Sequence, residues 1–155
     1  YYDVLREAKN GLPLAGASRI KPFLSMAGAI RDGREGLSLT ILFGDRFPFL
    51  YLTREYGLDY YAAFPGCSAE TEASFATVSF LAGKVDEFSL PYVPTIDGSD
   101  GKIAQTIIDN TASRSAGILT LNSMQSVTDE QLQAGENYLS IMEENLEVLK
   151  KALND

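Results

Sequence analysis

Four short apolar runs in this sequence each end in groups able to coordinate a cation or hydrogen-bond a polar ligand. The first run delivers Asp45 and Arg46, and the second delivers Cys67 in the segment PGCSAETE, with Glu70 and Glu72 just behind it. The third ends in Asp97 and Asp100, the fourth in Asn122 and Ser123. In open α/β sheets ligands collect outside the carboxyl ends of the strands, which is where these residues would stand. The same residue types have ordinary uses. Asp97, Asp100 and Ser123 fit turn and cap roles, Cys67 fits a buried thiol as well as a pocket wall, and Asp45 with Arg46 fits a local ion pair.

The chemistry this chain lacks narrows the field further. It has no His and one Cys, which excludes Ser-His-Asp and Cys-His catalysis, a His-based zinc site built from this chain alone, and an internal disulfide. Neither a GxGxxG nor a GxxxxGK[ST] phosphate cradle occurs, and GxSxG and HExxH are also missing. No carboxylate pair stands at a spacing that suggests hydrolysis, so the expectation is a binding protein and not an enzyme. With 13 Lys plus Arg against 21 Asp plus Glu, the net charge is −8. Such a chain repels nucleic-acid phosphates and anionic membrane surfaces. No run reaches the roughly 18 apolar residues of a membrane helix, so no direct membrane insertion is expected.

The elements that must position these residues follow from hydrophobic patterning. At 155 residues and 45% apolar composition, the chain is sized for one domain with a core. Leu37 to Phe43, Asp59 to Phe64, Tyr92 to Ile96 and Gly117 to Leu121 are apolar runs bounded by turn residues, and they read as strands buried on both faces. Helical patterns alternate with them. Phe49 to Tyr56 is stopped by Gly57; Glu70 to Phe88 takes Ser68 as N-cap; Asp100 to Thr111 follows Ser99 and places Ile103, Ile107 and Ile108 on one face. A last helix is capped by Thr128 with Gln131 completing a capping box. Its stripe runs through Tyr138, Ile141, Met142, Asn145, Leu146, Leu149 and Leu153, opposite a solvated acidic face of Glu136, Glu143, Glu144 and Glu147. Strand and helix in alternation predict an α/β fold: a small parallel sheet of about four strands with helices on both faces, one Rossmann-like lobe.

Residues 1–36 fit this pattern less well. Tyr2 to Lys9 and Phe23 to Arg31 read as helical, joined by a stretch containing Gly, Pro and Ser. The expected organisation is therefore an N-terminal segment over 1–36, without an assigned role, and an α/β lobe over 37–155. Because the chain begins Tyr1-Tyr2-Asp3, it is expected to be a processed product or a fragment.

Three segments carry a family resemblance: GDRFPFLYLTREYGLDYYAAFPGCSAETEAS, TIDGSDGKIAQTIIDNTAS, and ILTLNSMQSVTDEQLQAGENYLSIMEENLEVLKKAL. Together, from about Ser38 to Leu153, they resemble the C-terminal lobe of the zinc/manganese ABC-transporter substrate-binding proteins, the TroA-like or ZnuA-like group. The resemblance implies a two-lobed extracytoplasmic receptor, lipid-anchored in its full-length form, that delivers metal to a membrane permease. Its metal sits between two lobes joined by one long helix, with two His from an N-terminal lobe that is expected to be missing or replaced by residues 1–36, which do not look like the linking helix. The C-terminal lobe ordinarily gives a His or Glu after its first strand and an Asp after its fourth. At those positions this sequence carries Arg46 and Asn122. The metal candidates that remain are Asp45, Cys67 and Asn122, with Arg46, Glu70 and Asp97 lining the cleft. A thiolate favours Zn2+ over Mn2+, and half a coordination shell implies weak binding by this lobe without its partner lobe. Two rivals stand beside this expectation. One is a divergent module of the same fold that holds a different polar ligand or acts through protein contacts. The other is a flavodoxin-like enzyme, which would need the phosphate cradle the sequence lacks.

Overall fold

The computed structural model describes residues 39–65, 72–125 and 127–154. They belong to a compact unit running Ser38–Asp155, distinct from a unit over Tyr1–Leu37. The expectations for Tyr2 to Lys9 and Phe23 to Arg31, and for Cys67, Ser68 and Glu70, lie outside the described residues.

Among the described residues nine elements follow in order: β1 (Thr40–Phe47), α1 (Leu50–Tyr56), β2 (Asp59–Pro65), α2 (Phe75–Phe88), β3 (Tyr92–Ile96), α3 (Lys102–Asp109), β4 (Gly117–Leu121), α4 (Asp129–Gln133) and α5 (Tyr138–Asn154). Strand β1 pairs in parallel with β2, and β3 in parallel with β4. These are two parallel ladders lying side by side through β1 and β3, in place of one continuous four-stranded ladder. On the β3 side the boundary has a physical contribution: Pro94 has no N–H to give a ladder.

Helices cover the strands on both faces. Leu42 joins Phe64, Val78, Leu81, Val85, Val93, Ala104, Ile107 and Ile108 in one buried cluster, with α2 and α3 supplying the helical side. Its neighbours Ile41 and Phe43, which alternation sends to the other face, are 2% and 1% exposed. Phe43 stacks there on Phe49, with ring centroids 5.5 Å apart. Helix α5 packs on β1, β3 and β4 and buries Ile141, Met142, Asn145, Leu146, Leu149 and Leu153. The inner strands β1 and β3 are buried except at the half-buried Arg46 and Tyr92; β4 alternates, with Ile118 and Thr120 exposed, because it is an edge.

The bounds of β3 and β4 match the sequence reading residue for residue, and α1 ends at Gly57, whose left-handed φ of 64° closes the helix. Elsewhere the structure corrects that reading. β1 does not stop at Gly44-Asp45. It bulges between Phe43 and Arg46 and continues to Phe47, so Asp45 and Arg46 lie within the strand. The second long helix begins at Phe75, capped by Ser74, whose Oγ accepts from Thr77 N, so Glu72 precedes the helix. α3 begins at Lys102, after Ser99 Oγ and Asp100 Oδ1 accept from the backbone N–H groups of Gly101 and Lys102. The capping box of Thr128 and Gln131 is present, but it caps the short helix α4. Gly135, at φ 91°, breaks the chain before α5, and Glu136 lies in that break and accepts from Gln131 Nε2.

Candidate functional site

At the β1 end, the geometry comes from immediate neighbours. Gly44 is pressed against α3: a Cβ there would lie 2.5 Å from Ala104 Cα and 2.9 Å from Val93 Cγ1. Only glycine permits this approach, and the bulge it sits in re-aims the next side chain. Asp45 follows, 6% exposed. Its Oδ1 accepts from Arg46 N at 2.7 Å and from Arg46 Nε at 3.5 Å, while the Arg46 side chain is 38% exposed. The carboxylate is thus buried with a cation of its own sequence beside it. That guanidinium would oppose a divalent cation unless the carboxylate offsets it.

The β3 and β4 ends are tied to one another. Asp97 N donates to Leu121 O at 2.9 Å, which extends the register one step past the ladder. Asp97 Oδ1 then accepts from both Ser123 N and Ser123 Oγ, the latter at 2.6 Å. Asn122 Oδ1 accepts from Met124 N at 2.8 Å, an Asx-type turn that carries Met124 into a left-handed φ of 60°. On its other side Asn122 meets α5. Its N–H donates to Asn145 Oδ1 at 2.7 Å, and its carbonyl accepts from Asn145 Nδ2 at 2.8 Å.

Of the candidates read from the sequence, Asp97 and Asn122 directly follow β3 and β4, Asp45 and Arg46 lie inside the last residues of β1, and Asp97 comes together with Ser123. Asp100 is exposed and serves the start of α3. Its carboxyl is held below the ordinary carboxylate range by a side-chain hydrogen bond from Lys102, 2.6 Å away, and Lys102 is correspondingly raised. Among the described residues no three His, Cys, Asp or Glu side chains gather as a metal cluster. An open groove of about 510 Å³ lies at the opposite, amino ends of β1 and β2, lined by Thr40, Leu58, Asp59, Tyr60, Tyr61 and Phe88. Sequence reasoning placed Asn145 only as one member of the α5 stripe. The signal that could have singled it out is its type, an amide in a stripe otherwise built of apolar and aromatic side chains.

Parallel strand pairs covered by helices on both faces, with polar groups at the strand carboxyl ends, define the class: one lobe of a TroA-like binding protein. The chain is similar in fold to the periplasmic zinc-binding protein TroA of Treponema pallidum, with a TM-score of 0.69 at 18% identity over 91% of this chain and 50% of that one. The family model described as zinc-uptake complex component A, periplasmic, matches residues 28–152, and the chain belongs to that family. The zinc-binding lipoprotein AdcA of Streptococcus pneumoniae is 32% identical over 87% of this chain. The Zn(II)-bound ZnuA-like domain of that protein aligns with a TM-score of 0.58 at 28% identity, over 90% of this chain and 51% of the domain. The high-affinity zinc uptake system protein ZnuA of Bacillus subtilis is 28% identical over 68% of this chain. The chain spans 26% of the length of that AdcA and 32% of that ZnuA.

Proposed function

We propose that this chain is the C-terminal lobe of the substrate-binding component of an ABC transporter for divalent metal uptake, with Zn2+ preferred to Mn2+ as cargo. The lobe works outside the cytoplasm, anchored by lipid in the full-length protein, together with an N-terminal lobe and a membrane permease. It is a carrier and not an enzyme. The observation that carries this reading is family membership over most of the chain; Asp97 and Asn122, which follow β3 and β4, and Asp45, near the end of β1, support it.

Asp45, Cys67 and Asn122 are the metal-facing residues. Asp45 supplies a buried carboxylate, Asn122 the second lone pair of the amide oxygen that accepts from Met124 N, and Cys67 a thiolate that selects zinc. Arg46, Glu70 and Asp97 line the cleft, Asp97 by fixing the segment that carries Asn122. Residues 37–155 form this lobe, and residues 1–36 are a separate segment. Since the lobe offers half a shell, it binds weakly alone and tightly only with its partner lobe.

One observation favours a second reading. The part-exposed Arg46 guanidinium, together with the neutral amide of Asn122 after the fourth strand, suits an anionic or polar ligand as well as a cation. The deciding experiment is elemental analysis of the full-length protein as purified, followed by calorimetric titration of Zn2+ and Mn2+ into its metal-free form. Tight uptake of zinc is expected, with Mn2+ weaker. Failure of both ions to bind tightly overturns the transport reading and leaves the polar-ligand module. Cys67→Ser should weaken zinc binding; an unchanged affinity removes the thiol from the site.

A further inference from the structure

The segment leaving β4 is held by a residue of the terminal helix that no strand-end argument would select. Asn145 is 3% exposed and sits among Ile141, Met142, Leu146 and Leu149 on the buried face of α5. A buried amide in such surroundings is tolerated only when both its ends are hydrogen-bonded. Both are: its Oδ1 accepts from Asn122 N at 2.7 Å and its Nδ2 donates to Asn122 O at 2.8 Å. The orientation of the amide is settled by this pair, because only one setting satisfies a backbone donor and a backbone acceptor at once. The β3–β4 ladder stops at Leu121, so Asn145 gives the next residue what a neighbouring strand would have given. From the other side Asp97 takes both donors of Ser123.

We propose that Asn145 is a positioning residue of the ligand cleft, acting through the Asn122 peptide to fix the direction in which the post-β4 segment presents the Asn122 side chain. This rests on the transport reading for the nature of the ligand, while the clamp itself is a property of the fold. A packing role alone would be met by leucine, whose side chain branches at the same carbon with the same number of heavy atoms, though bulkier, and which matches the rest of the stripe. Leucine would leave the Asn122 N–H and carbonyl to water and free the turn to rotate.

The test compares Asn145→Leu with Leu149→Ala, a buried change on the same helix away from the segment, in the full-length protein. Three quantities are read: the melting temperature of the metal-free protein, the affinity for Zn2+ by chelator competition, and amide hydrogen exchange at Asn122, Ser123 and Met124. Both variants should melt lower than the parent. Only Asn145→Leu should lose affinity, by roughly 10- to 100-fold as for other groups that orient a metal ligand, and only it should lose amide protection at 122–124. Affinity and exchange matching the Leu149→Ala control would overturn the proposal. If the parent protein binds neither Zn2+ nor Mn2+ tightly, the transport reading fails, and exchange then decides the clamp: protection lost at 122–124 alone supports it, and unchanged protection ends it. Asn145→Ala serves as second variant should the leucine protein not fold.

Discussion

The two ends of the strand array that carry candidate ligands are built in opposite ways. At β1, everything that shapes Asp45 lies next to it in the chain: the bulge at Gly44, and Arg46, which donates twice to its carboxylate. At β4, Asn122 and Ser123 are held by Asn145 and Asp97, 23 and 26 residues away in sequence. A local ion pair with a part-exposed partner relaxes into solvent at little cost. A clamp between elements depends on the whole lobe being assembled, and when it breaks it leaves several half-buried donors and acceptors unmatched at once. The β1 end is therefore the adaptable half of the candidate site, and the β4 end the preorganised half.

Changes graded by size test that contrast. The largest effect is expected where the local end meets the core: Gly44→Val drives its side chain into Ala104 and Val93 and should destabilise the lobe by about 3 kcal/mol or more by overpacking. Urea unfolding would measure it; a variant as stable as the parent would show that α3 can retreat. Next comes Asp97→Ala, which strips Ser123 of the acceptor for both its donors and should remove about 2 kcal/mol. Asp45→Ala removes a partner from groups that water can reach, and about 1 kcal/mol is the expected loss. If Asp45→Ala proved the more damaging of the two in the same denaturant series, the contrast between a local and a tertiary end would collapse.

The smallest effect belongs to the exposed pair at the start of α3. The hydrogen bond from Lys102 depresses the Asp100 pKa, so the ionised carboxylate stabilises the fold above the ordinary carboxylate range, and that stabilisation disappears as pH falls through the depressed value. Lys102→Met should melt slightly below the parent at neutral pH and converge with it in acid. A gap that persisted at low pH would assign the difference to packing and not to charge.

The strands were legible because turn residues end them: Asp97-Gly98 after β3, Asn122-Ser123 after β4. The terminal helix was legible in its stripe, whose apolar members from Ile141 onward are buried as the 3.6-residue period requires. Its start was not. Thr128 and Gln131 make a genuine capping box, and nothing in a cap tells how far the helix after it runs; the break comes at Gly135. The bulge in β1 escaped notice for a related reason. Gly44-Asp45 has the composition of a turn, and only the approach of α3 makes the glycine a packing contact within a strand.

The sequence by itself determined the α/β alternation, the residue types at the strand ends, and the family, because local propensity, hydrophobic period and segment similarity are properties of contiguous residues. It also showed the lack of His, so this chain has no imidazole to offer a metal. The tertiary structure alone decided which of the described residues are free to act and which are occupied in holding others. Asp97 is committed to Ser123, and Asn145 to the Asn122 peptide, because hydrogen bonds between elements exist only once helix and strand have been brought within 3 Å of each other by burial of their apolar faces.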